Sequence, residues 1–218
     1  MDRRNLLKIG AGSVAALFGA SALGAGAEVC VRALTPRQPE GPFYPVVPQT
    51  DTNSDLVLLA GKTEAARGEI IIVQGQVTDQ KCKPVQGVLV EIWQACHTGR
   101  YNHHADPNTA ELDPNFQYWG KSVTDANGHY RFRTILPGAY PADDTWIRPP
   151  HIHFKVSKLG YVELITQMYF AGDALNEHDL ILKRLSVEQQ KQVLVEMKSV
   201  DGLPHPAGQF DIQIEKLR

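Results

Sequence analysis

The sequence predicts an all-β fold, an antiparallel β-sandwich with long loops and one or two short helices. Three observations carry this reading. Short runs rich in β-branched and aromatic residues alternate in polarity, as in Glu69 to Thr78 (EIIIVQGQVT), Val85 to Trp93 (VQGVLVEIW) and Gln209 to Leu217, which is the period of a half-buried strand. Turn signals such as Asn127-Gly128 and Pro137-Gly138 punctuate those runs. A single segment, Ser186 to Met197, reads as a helix, with Ser186 and Gln189 in capping-box spacing.

In chain order, Asp2-Arg3-Arg4-Asn5-Leu6-Leu7-Lys8 precedes an uncharged Gly/Ala-rich run ending in Ala25-Gly26-Ala27. This resembles a twin-arginine export signal with an A-x-A cleavage site. Residues 1–27 are therefore read as a cleaved leader, placing the mature protein in the periplasm or outside the cell. Glycine and alanine make that run a weak span, so no stable membrane segment is expected after cleavage. Residues 28–68 are read as an extended arm. Thr35 to Pro45 holds four prolines in eleven residues, which excludes regular structure. Residues 69–218 are read as the sandwich domain. Beyond Trp93 its strands are expected at Lys121 to Thr124, His129 to Arg133, His151 to Val156 and Val162 to Phe170. The last strand, Gln209 to Leu217, should turn Phe210, Ile212 and Ile214 inward and Asp211, Gln213 and Glu215 outward.

A chain of 218 residues with a formal net charge of −2 can bury one good core, and no basic block points to nucleic acid. Three cysteines, Cys30, Cys82 and Cys96, leave one pair and one spare in an oxidising compartment. Cys82 and Cys96 flank a predicted strand that would hold them roughly 30 Å apart, so Cys30 with Cys82 is the preferred pair. There is no C-x-x-C to suggest a zinc knuckle.

The chemistry concentrates in Thr145 to Lys155 (TWIRPPHIHFK). Pro149 and Pro150 end a loop, and His151-Ile152-His153 opens a strand. Residues i and i+2 share a face there, so two imidazoles project together while Ile152 enters the core. Tyr101 follows Gly99-Arg100, and Tyr140 stands in the rigid Pro137-Gly138-Ala139-Tyr140-Pro141 loop. Two phenolates and two imidazoles suit a hard, highly charged ion such as Fe(III). Zinc, or a cupin-like copper or iron site, would call for Cys, a carboxylate or a third His. Taken singly, each tyrosine reads as packing, the His-x-His as structural and Arg148 as a surface charge; the joint pattern argues otherwise. His97, His103, His104, His129, His178 and His205 read as solvent or rim residues, with His103 and His104 nearest the pocket.

From Trp93 to Asp173 the chain resembles the intradiol ring-cleaving dioxygenase family, in particular its protocatechuate-cleaving branch. The resemblance rests on Trp93-Gln94-Ala95, Gly99-Arg100-Tyr101, Leu112 to Phe116, Phe132-Arg133-Thr134-Ile135, Arg148-Pro149, His151-Ile-His153-Phe154 and Leu164 to Phe170. It implies a transthyretin-like (prealbumin-like) Greek-key sandwich and a non-haem Fe(III) cofactor held by Tyr101, Tyr140, His151 and His153. It also implies an active-site guanidinium at Arg148, a supporting amide at Gln167, and a proton-accepting role for Tyr140. Gly41, Pro42 and Tyr44 match a pocket-lining segment that two-subunit relatives take from the other subunit, which favours a homo-oligomer here. The implied reaction opens a catechol between its hydroxylated carbons with O2, giving a cis,cis-muconate. The rival reading is a non-catalytic transthyretin-like or carboxypeptidase-regulatory β-sandwich serving as a binding module. It shares the turns at Pro84 to Gly87 and Asp125 to Gly128, but it has no use for Tyr101 or the histidine pair.

Overall fold

The computed structural model describes residues 33–47, 49 and 51–217; the expected leader and Cys30 lie outside the described residues. In chain order the strands are β1 (Ile70–Asp79), β2 (Leu89–Trp93), β3 (Trp119–Val123), β4 (His129–Ile135), β5 (Tyr140–Pro141), β6 (Ile147–Arg148), β7 (His151–Ser157) and β8 (Leu164–Phe170). Two 3-10 turns, Ala174–His178 and Leu182–Arg184, lead into helix α1 (Val187–Val193), followed by β9 (Leu194–Val195), β10 (Ala207–Gln209) and β11 (Ile212–Ile214).

The fold is all-β with one α-helix among the described residues. One sheet joins β10, β1 and β11 with β4 paired to β1, a second runs β3-β2-β7-β8-β9, and β5 and β6 form a two-stranded third. Each of the two larger sheets sends one face into a common core. Ile71, Val73 and Val77 of β1 and Tyr130 and Phe132 of β4 meet Val90, Ile92, Ile152, Phe154 and Val156 of the other sheet. Rings cross the gap directly, with Phe154 lying 6.1 Å from Tyr130 and 4.9 Å from Phe210. The alternation that marks these strands in the sequence is the alternation of this core.

Several expectations need correction. The sheets are mixed and not purely antiparallel, because β10 and β11 run parallel to β1 and β9 runs parallel to β8. The long final strand is two short ones, divided where the Phe210 amide donates to Gln74 O (2.8 Å). Gln213, expected outward, is buried, because its amide donates to Thr35 Oγ1 (2.9 Å) from the arm. The second strand begins at Leu89 and not at Val85, since Val85 is bonded to Val77 O in the preceding turn. Helix α1 has its capping box, with Gln189 N donating to Ser186 Oγ and Ser186 N to Gln189 Oε1, but it stops at Val193. Leu194 and Val195 leave it to pair with Tyr169 and Phe170, and sheet pairing outcompetes the last helical turn. Asn127-Gly128 makes the expected turn, yet it carries the chain from one sheet to the other rather than closing a hairpin. Cys82 is disulfide-bonded, and Cys96 is free and buried. No helix among the described residues is long and apolar enough to cross a membrane.

Candidate metal centre

Strand β7 delivers both histidines as its alternation demands. Ile152 and Phe154 enter the core, while His151 and His153 share the opposite face, which the sheet register then furnishes. His153 stands opposite Trp93 on β2 and Gln167 on β8, and His151 opposite Tyr169. The Trp93 indole stacks on His153, with centroids 4.8 Å apart and planes 11° from parallel. This packing fixes the ring against rotation.

The tyrosines come from two loops that must nearly touch. A β-carbon on Gly99 would sit 2.2 Å from Ala139 O, and one on Gly138 would sit 2.4 Å from Gly99 N. Only glycine lets Gly99-Arg100-Tyr101 and Gly138-Ala139-Tyr140 approach this closely. Asp106 anchors the first loop by accepting from Tyr101 N (2.6 Å), and β5 ties Tyr140 opposite Arg148 of β6. As a result Tyr101 and Tyr140 meet edge to face at 5.5 Å. His151 lies 5.6 Å from the Tyr140 ring and 4.9 Å from His153. All four side chains are buried.

Their protonation suits a cation. His151 Nδ1 lies 2.7 Å from Pro149 O, so that nitrogen carries the proton. Nε2 then keeps its lone pair, directed at the Tyr101 hydroxyl 3.4 Å away. Burial, reinforced by Arg148, pushes both imidazoles well below their ordinary range and keeps them neutral. Burial likewise pushes the Tyr101 phenol well above its ordinary range, with Tyr140 adding to the rise, and raises Tyr140 itself. Neutral imidazoles can ligate as they are; buried phenols ionise only against a strong positive charge. The donor set therefore fits a hard trivalent cation. Among the described residues no three or more His, Cys, Asp or Glu side chains gather as an alternative metal site.

Arg148 flanks the cluster and is almost wholly buried. Its Nε donates to Asp179 Oδ2 (2.9 Å), and its Nη2 to Gln167 Oε1 (2.8 Å) and Tyr169 OH (3.2 Å). The predicted Gln167 is thus in contact with the predicted arginine. The arm completes the enclosure. Gln38 donates to Thr166 Oγ1 (3.0 Å) and to Gln167 O (2.9 Å), while Gln167 Nε2 donates to Pro39 O (2.8 Å). Gly41 packs so closely on His153 that a β-carbon would lie 3.3 Å from Cε1. Phe43 lies 4.6 Å from the Tyr101 ring, and Tyr44 stands edge-on to Trp93 at 5.0 Å. Pro42 is exposed. Burial and the nearby Glu91 push the Tyr44 phenol up to about 12. His103 reaches the rim, 5.9 Å from Phe43.

Sequence reasoning missed Gln38, Tyr169 and Asp179. Gln38 and Tyr169 stand inside segments already singled out, whereas Asp179 carries no local signal at all. A dioxygenase family matches residues 39–215 of the chain. The protocatechuate 3,4-dioxygenase beta chain of Burkholderia cepacia is 42% identical over 183 residues, which cover 81% of this chain and 77% of that one. Catechol 1,2-dioxygenase of Candida albicans is 34% identical over 155 residues, covering 65% of this chain and 48% of the relative, so the chain spans about half of that protein's length. The solved dioxygenase domain of a dioxygenase carbohydrate-binding protein fusion from Streptomyces sp. SirexAA-E superposes with a TM-score of 0.64 at 30% identity, covering 84% of this chain and 99% of that one. The match takes in the arm from Pro39 onward, both tyrosine loops and the histidine strand, and on that ground the chain belongs to the intradiol ring-cleaving dioxygenase family.

Proposed function

We propose that the protein cleaves a catechol between its two hydroxylated carbons, inserting both atoms of O2 to give a cis,cis-muconate. Non-haem Fe(III) would be held by Tyr101, Tyr140, His151 and His153. The observation that carries this is the His151 lone pair directed at a buried phenol, with the other ring nitrogen committed to Pro149 O. Bound there, Fe(III) would supply the Lewis acidity that lets a catechol bind in its deprotonated, electron-rich form. The protein's own part is orientation and charge. Tyr140, beside Arg148 and ionised only when the metal is bound, would accept a catechol proton at its phenolate oxygen. The Arg148 guanidinium stabilises negative charge building on the ring. Trp93 and Gly41 hold the His153 ring, while Phe43 packs on Tyr101 and Tyr44 on Trp93.

The family resemblance supports a Greek-key, transthyretin-like connection of the two sheets. It also supports reading residues 28–68 as an arm and 69–218 as the catalytic sandwich domain, and a homo-oligomer. The sequence of residues 1–27 supports twin-arginine export to the periplasm or beyond. Protocatechuate and catechol, named for the relatives, head the substrate panel.

The test is the visible spectrum of the purified protein, before and after anaerobic addition of catechol or protocatechuate. Tyrosinate on Fe(III) absorbs in the visible, and a bound catecholate moves that band to longer wavelength. A protein that stays colourless after iron reconstitution would overturn the reading in favour of the binding module.

A further inference from the structure

We infer that Asp179 is a positioning residue for catalysis, setting the plane of the Arg148 guanidinium. The inference rests on the ring-cleavage reading above, and it concerns a residue outside every motif that supports that reading. Asp179 is completely buried. One carboxylate oxygen, Oδ2, accepts a hydrogen bond from Arg148 Nε at 2.9 Å. The other, Oδ1, accepts from Ile181 N (3.0 Å) and Leu182 N (2.7 Å) and lies 3.5 Å from Arg148 Nη2. The backbone amides at the start of the second 3-10 turn therefore fix the carboxylate, and the carboxylate fixes the guanidinium.

Geometry makes this more than a neutralising pair. A guanidinium is planar, so holding Nε and Nη2 determines where Nη1 points. Nε is committed to Asp179, and Nη2 to Gln167 and Tyr169. None of these bonds uses Nη1, and the guanidinium also meets the Tyr140 phenol on the side of the metal site, so Nη1 is the edge assigned to a reacting ring. Asp179 and Gln167 act as two stops on one plate. The carboxylate also balances a cation buried beside the two histidines, which would otherwise be costly to keep. Its effect on the reaction passes through Arg148, and it does not touch the substrate.

The first experiment compares Asp179→Asn with the wild type. Asparagine keeps the size of the side chain and an oxygen for the Ile181 and Leu182 amides, but it loses the charge that orients Nε–H. We expect kcat to fall about 10–100-fold, the range seen when groups supporting an active-site residue are removed. Iron content, the visible band and KM should stay close to wild type. In an Arg148→Ala background the same substitution should add no further loss, because its route of action is already gone. Guanidinium added to Arg148→Ala should restore part of kcat, and it should fail to do so in Arg148→Ala/Asp179→Asn.

Three results would overturn the proposal. The first is unchanged kcat in Asp179→Asn, the second full additivity with Arg148→Ala. The third is loss of the fold in Asp179→Asn, which would assign the carboxylate to stability alone. Absence of turnover in the wild type would instead refute the ring-cleavage reading.

Discussion

At His151 the Pro149 carbonyl settles the tautomer, and the tautomer settles which nitrogen a metal can use. His153 has no such partner on Nδ1 among the described residues; its orientation comes from the Trp93 stack and from Gly41. His151→Ala and His153→Ala should therefore both purify with iron far below wild-type stoichiometry, read by metal analysis. Arg148→Ala should behave differently. Its iron content should hold while kcat falls about 100–1,000-fold, the range for removing a donor aimed at transition-state charge. A parallel fall in iron would reassign Arg148 to the metal site. The four candidate ligands were legible jointly rather than singly: alternation pairs the histidines, and the tyrosines stand out only with them and with the family resemblance. Asp179 was not legible, since what identifies it is a partner 31 residues away.

Among the elements, β7 and α1 show opposite relations between pattern and outcome. The alternation of β7 is obeyed throughout, because one face must fill the core and the other has no choice but the site. Helix α1 obeys its N-terminal signal and ignores the rest of its pattern, because Leu194 and Val195 find sheet partners. Ser186→Ala should cost about 1 kcal/mol, the usual loss of a helix N-cap, seen as a lower thermal midpoint with turnover unchanged. The two tyrosine loops make a sharper test. Gly138→Ala would place its new methyl 2.4 Å from Gly99 N, forcing Tyr101 and Tyr140 apart. The visible charge-transfer band should weaken or vanish in this variant while far-ultraviolet circular dichroism stays that of the wild type.

For the whole molecule, the site is an outer face of the five-stranded sheet roofed by the arm. Gln38 bonds to residues 128 and 129 positions later in the chain, so arm, sheet and arginine form one network. If Tyr101, Tyr140, His151 and His153, all buried, hold the metal as proposed, metal and fold should be mutually dependent. A ligand that binds only the folded state adds about 2.7 kcal/mol at 100 times its dissociation constant. Chelating the iron should lower the thermal midpoint, and restoring Fe(III) should return it. An iron-free protein with an unchanged midpoint would show that the cluster is stable as an empty core.

The sequence alone determined the all-β class, the turns, the helix start and the sidedness of His151 and His153. Each of these is written in spacings of a few residues, where backbone geometry dictates which side chains share a face. The tertiary structure decided that β10 and β11 lie parallel to β1, that Gln213 is covered by the arm, and that Arg148 is held by Asp179, Gln167 and Tyr169. Those outcomes depend on which distant segments find one another. That is fixed by the summed burial and hydrogen bonding of the whole chain, which no local window contains.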